Sequence, residues 1–205
     1  MDLENSYYEL YGTNDIIKYR WKQLLSIMEH AKNTRSSALK QADKQGNSWY
    51  QSEKMVGMML YVDKFSENLV EFEKRIDYLA ELGITYVHFM PLLKSREGNN
   101  DGGYAVSDYL KVDDKFGTME QLERVMKLLK EKGIRTCIDF VLNHTAKEHI
   151  WVKKFKEGEP DYNDMYFMFD NDTIPKEYEK NMTEIFPEVA PGNFTYYPDI
   201  NKYVM

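Results

Sequence analysis

Apolar residues at Ile16, Ile17, Trp21, Leu24, Leu25 and Met28 recur at helical spacing, with charged residues between them, and predict a helix over 14 to 45. The stretch DKQGNSWYQSEK ends that period at Gly46 and Asn47. From Val56 the pattern changes. VGMMLYVDKF is an apolar run of strand length, and NLVEFEKRIDYLAELG then places Leu69, Phe72, Ile76, Leu79 and Leu82 on one helical face. Asn68 and Glu71 are spaced as an N-cap pair, and Gly83 is a helix stop. ITYVHFMPLL is a second near-continuous apolar run, closed by Pro91. MEQLERVMKLLKEKG follows as a helix, with Leu122, Val125, Met126 and Leu129 on one face, Thr118 and Gln121 at capping-box spacing, and Gly133 at its end. IRTCIDFVLNHT is the third strand of buried type.

Strand, helix, strand, helix, strand, with apolar rather than alternating strands, implies parallel pairing under helices. The Gly83–Ile84 and Gly133–Ile134 junctions mark successive units of one βα architecture. The pattern fits a doubly wound sheet and a (β/α)₈ barrel alike. His88 and Cys137, inside the apolar runs, read as core residues, while His30 and His149 carry no signal. Beyond His149 the periodicity dissolves into a segment rich in Tyr, Phe, Asp, Asn and Pro. It is too aromatic for a disordered tail and reads as a long, partly ordered insertion.

Composition narrows the class. A chain of 205 residues has room for one domain or for part of a larger one. The net charge of -7 leaves no basic surplus to neutralise phosphates, which argues against nucleic acid as a partner. One cysteine excludes an internal disulfide framework and fits a reducing compartment. The start, MDLENSYYELYGTND, is not a secretory signal, and no apolar run reaches the roughly 20 residues that span a bilayer. A soluble cytoplasmic protein without a membrane partner is the expectation.

Ligands of parallel βα folds sit at the carboxyl ends of strands, and two such ends here are polar. NNDGGYAVSDYLKVDDKFGT follows the second strand, and the third ends with Asp139, Asn143 and His144. The Gly-Gly pair permits positive φ and serves a plain tight turn, or it lays Asp101 and Tyr104 against a ligand. Neither phosphate-loop spacing is present. Asp139, Asn143 and His144 could equally be a turn cap and the end of a strand. His144 and His149 lack the ligand pattern of a zinc site, and no metal or cofactor is expected. Together, a carboxylate that accepts sugar hydroxyls, a tyrosine ring that stacks on a pyranose and a donating imidazole describe a carbohydrate subsite.

DFVLNH resembles the third-strand signature of the α-amylase superfamily, and DGGYAVSDY resembles the loop after its second strand. RSSALKQAD, KMVGMMLYVDKF, LGITYVHFMPLLK, REGNNDGGYAVSDY, IDFVLNHTAKEH and YFMFDNDTIPKEYEKNMTEIFP are similar, in that order, to amylosucrase. The resemblance covers about residues 35 to 205 and implies an α/β fold. That fold would comprise a helical N-terminal segment (1–50), the first three βα units of a (β/α)₈ TIM barrel (51–149) and the start of an irregular insertion, domain B (150–205). It further implies that Asp101, Tyr104 and His144 bind a glucosyl ring, with Asp139 and Asn143 supporting them. The metal that this asparagine holds in many α-amylases is not implied. Thr183 stands where amylosucrases tend to carry arginine before EIFP, which bears on the acceptor side and on transfer versus hydrolysis.

Retaining enzymes of this kind need a nucleophile and a general acid/base, both carboxylates. In the superfamily these follow the fourth and fifth strands, and neither is expected on this chain. The resemblance therefore implies the N-terminal part of a glucosyl transferase or hydrolase acting on sucrose or α-glucans, inactive alone. Its open barrel edge and apolar inner face would predispose it to self-association. A sucrose phosphorylase or α-glucosidase, and a non-catalytic carbohydrate-binding fragment, are the competing readings.

Overall fold

Side-chain oxygens of Asp2 and Asn14 cap the first two helices, accepting from Glu4 N at 3.1 Å and Ile17 N at 3.0 Å. These helices, α1 (Leu3–Tyr11) and α2 (Asp15–Thr34), are followed by α3 (Ser37–Lys44). The structure, a computed structural model, describes residues 2–44, 48–184, 187–188 and 191–205. Gly46 and Asn47, expected to break the first helix, and Ile185 and Phe186 of the EIFP match lie outside the described residues. The chain divides into two compact units, Met1–Met55 and Val56–Met205.

In the first unit the helix expected over 14 to 45 is two helices, because Arg35 takes an extended conformation (φ -61°, ψ 137°). Trp21 is the buried hydrophobic of this unit among the described residues, with Tyr7 at 4.9 Å between ring centroids. Helix α1 was not expected from the pattern.

The second unit is built on three parallel strands, β1 (Gly57–Leu60), β2 (Tyr86–Phe89) and a third after the long helix described below. Between β1 and β2 run the short helices α4 (Val62–Phe65), α5 (Leu69–Glu73) and α6 (Ile76–Glu81). The single helix expected there is interrupted where Arg75 leaves the helical region (φ -100°, ψ 0°). Its cap holds, with Asn68 Oδ1 accepting from Glu71 N at 3.0 Å, and Gly83 ends it at φ 77°. After β2 come an antiparallel hairpin, β3 (Leu93–Ser95) and β4 (Val106–Val112), and then α7 (Met119–Glu131). Thr118 and Gln121 close the capping box of α7 in both directions. β5 (Arg135–Ile138) completes the parallel sheet in the order β1-β2-β5.

The core lies on one side of that sheet. Val87 and Phe89 of β2 are fully buried beneath Leu69, Phe72, Leu79, Val125 and Leu129 of the helices. The other side carries Met59, His88 and Cys137 in one register row and Tyr86 and Arg135 in the next. Met59 and Cys137 are exposed and His88 is half-buried. This corrects two expectations. His88 and Cys137 are not core residues, and the open face is mixed rather than apolar, because the described helices of this unit pack on the opposite side of the sheet.

The third strand is also shorter than expected. β5 stops at Ile138, so Asp139 to His144 are not strand. The ladder to β2 ends with Asp139 N donating to Phe89 O at 3.3 Å, and Tyr109 of β4 then takes the next segment, its hydroxyl donating to Val141 O. Beyond it, α8 (Ile150–Lys156), β6 (Met168–Phe169), α9 (Thr173–Glu179), β7 (Thr195–Tyr197) and β8 (Lys202–Val204) form a small layer. Its sheet is antiparallel, ordered β6-β8-β7 around Val152, Tyr197 and Val204. No helix among the described residues is long and apolar enough to cross a membrane.

Candidate active site

The DGGY stretch is the loop of the β3–β4 hairpin, closed by Arg96 N donating to Ala105 O at 2.9 Å. Asn100 organises it. Its Oδ1 accepts from Gly103 N at 3.2 Å, and its Nδ2 donates to Ser95 Oγ and Arg96 O, each at 3.2 Å. Asp101, Gly102 and Gly103 all adopt positive φ (52°, 67° and 98°), a region where glycine carries no steric penalty. A Cβ on Gly102 would meet the Tyr61 hydroxyl at 3.1 Å, and one on Gly103 would meet Pro91 Cβ at 3.0 Å. The pair therefore does more than turn the chain: it lets the loop press against Tyr61 and Pro91.

That approach delivers Tyr104. Its hydroxyl donates to Asp139 Oδ2 at 2.8 Å, and His88 Nε2 approaches Asp139 Oδ1 at 2.8 Å. The carboxylate directly after β5 is thus gripped from β2 and from the hairpin loop. Partial burial, the hydrogen bond to Asp139 and its charge push the Tyr104 phenol up to about 12. The Asp101 charge contributes in the same sense, which places this carboxylate in the electrostatic reach of Tyr104.

The segment after β5 is held against β4. Ala146 N donates to Val106 O at 2.7 Å, and the Tyr109 ring stacks on Phe140 with 5.1 Å between centroids. Asn143 and His144 are exposed there, and the Asn143 amide donates to His144 Nδ1 at 3.3 Å. So Tyr104 and Asp139 are in direct contact and Asp101 is close by. Among the described residues, no hydrogen bond ties His144 or Asn143 to those three. His88 and Asn100 were missed. No periodic signal marks His88, whose partner is 51 positions away, whereas Asn100 sits before Asp-Gly-Gly, where a side-chain-capped turn was readable. His149, set aside from sequence, is fully buried and caps α8, Nδ1 accepting from Trp151 N at 3.1 Å; burial holds its imidazole below the ordinary value.

No cluster of three His, Cys, Asp or Glu among the described residues could hold a metal ion. Chemically the constellation is acceptor-rich and aromatic: a free carboxylate at Asp101, a fixed phenol face at Tyr104 and an exposed imidazole at His144. It suits hydroxyl recognition.

A family model described as the alpha-amylase catalytic domain matches residues 68–199, well over half of the chain. Oligo-1,6-glucosidase of Parageobacillus thermoglucosidasius is 39% identical over 93 residues, a match covering 45% of this chain and 16% of that protein. Maltase A1 of Drosophila melanogaster is 34% identical over 117 residues, covering 55% and 20%. Among solved structures, a mutant of MutB in complex with the substrate sucrose superposes with a TM-score of 0.62 at 29% identity, covering 77% of this chain and 28% of that one. The matches thus span only about a sixth to a fifth of the curated relatives' length and under a third of that structure.

Proposed function

The chain belongs to the alpha-amylase catalytic-domain family, and from that membership we propose that it is part of a retaining glucosyl transferase or hydrolase, contributing one wall of the glucosyl pocket. In this reading β1, β2 and β5 are the first three strands of a (β/α)₈ barrel, residues 1–50 are a helical segment before it, and residues 150–205 begin the insertion after its third strand. Asp101 anchors glucosyl hydroxyls, the Tyr104 ring is the stacking platform, and His144 donates to a further hydroxyl. Asp139 and Asn143 support them.

One observation carries the reading. The Tyr104–Asp139 hydrogen bond, 2.8 Å long, joins the loop behind β2 to the end of β5, so the two polar strand ends act as one surface. Sucrose is the proposed substrate, on the DGGYAVSDY and SSALK stretches that resemble amylosucrase and on the sucrose-bound structural neighbour. An α-glucosidase specificity is the second reading, favoured by the 39% identity to an oligo-1,6-glucosidase.

The nucleophile and the acid/base belong to other parts of the barrel, so the isolated chain is inactive. Incubation with sucrose, followed by chromatography for free fructose, tests this. No release above a buffer control is expected, and fructose release that copurifies with the chain and is lost in Asp101→Ala would overturn it.

A further inference from the structure

His88 lies on the open face of β2, directly opposite Cys137 of β5 in the ladder. Its side chain is 29% exposed, so it is not filling the core. Its Nε2 stands 2.8 Å from Asp139 Oδ1, while the Tyr104 hydroxyl donates to the other oxygen of the same carboxylate at 2.8 Å. A carboxylate held by one donor can swing and exchange its oxygens. One held at both oxygens, from two separate chain segments, has its plane fixed. We propose that His88 is a positioning residue: through Asp139 it sets the orientation of the Tyr104 ring.

An ionised carboxylate only accepts, so the imidazole carries its proton on Nε2 and the phenol donates its own. Asp139 follows β5, which pairs with β2 alone among the described residues, so two side-chain donors are what fix its carboxylate. The consequence for binding rests on the glucosyl reading of Tyr104. A ring already fixed against Asp139 loses little freedom when a sugar stacks on it, and one released from that anchor must be ordered by the sugar.

The test needs no turnover. In the ¹⁵N-histidine-labelled full chain, long-range nitrogen–proton correlation reads the tautomer of His88, assigned by the signal missing in His88→Gln. A proton on Nε2 is expected; a bare Nε2 with the proton on Nδ1 overturns the proposal, and does so even if His88→Leu does not fold. In His88→Leu, which keeps bulk without the donor, the Tyr104 ring signals shift and broaden. In His88→Gln, whose side-chain amide reaches as Nε2 does, they return toward wild type. Unmoved Tyr104 signals in a folded His88→Leu refute the positioning role. Glucose affinity, read by shift titration, should fall about tenfold in His88→Leu and recover in His88→Gln. If the ring moves while glucose affinity is unchanged, or wild type takes no glucose, the positioning role stands and the platform reading of Tyr104 is what fails.

Discussion

A Cβ on Gly103 would stand 3.0 Å from Pro91 Cβ, on a backbone with φ of 98°. Both the contact and the dihedral resist any other residue, so Gly103→Ala should destabilise the second unit by about 1–3 kcal/mol in urea denaturation. Tyr104 gives a pH prediction. Its phenol is pushed from 10.0 to about 12 by burial first and by Asp139 second. Between those values the unfolded chain has released a proton that the folded chain keeps. The stability from Tyr104 is therefore complete below the unfolded value and is lost as pH rises through the folded one. Tyr104→Phe should flatten that alkaline decline in denaturation series taken between about pH 9 and pH 12, and Asp139→Asn should leave its onset in place but make it smaller and end it at lower pH. At this scale the sequence spoke unevenly. Asp101, Tyr104 and Asp139 announce themselves by type and place, whereas the use of His88 depends on which residue β5 sets across from it.

At the scale of elements, local rules were readable and pairing rules were not. Asn68 with Glu71, and Thr118 with Gln121, are decided within one helical turn, and both caps form as spaced. Thr118→Ala should cost α7 about 1 kcal/mol, seen as a lowered melting temperature with an unchanged fold by circular dichroism. β4 escaped notice because its burial does not alternate: Val106 and Val112 are buried while Leu110 is exposed. Its register is set by β3 and by the segment it grips after β5. The end of β5 escaped for a related reason. DFVLNH carries enough apolar residues to continue a strand, but Tyr109 takes the Val141 carbonyl that a ladder would have used. The parallel sheet itself was legible in the βα alternation. Its one-sided cover was not, since an apolar run reads the same whether one face or both are packed.

For the whole molecule, the central proposal is that Asp101, Tyr104 and His144 form one wall of a sugar pocket, with Asp139 in support. The family is shown by the match over residues 68–199, while the geometry narrows attention to a single rim of the sheet. That rim can be interrogated directly. Glucose titrated into the isotopically labelled chain, followed by backbone and aromatic chemical shifts, should move Asp101, Tyr104, Asp139 and His144 together, with weak affinity, and Tyr104→Ala should abolish the response. Shifts confined to residues away from the β3–β4 loop and the end of β5, or a full response that survives Tyr104→Ala, would contradict the account.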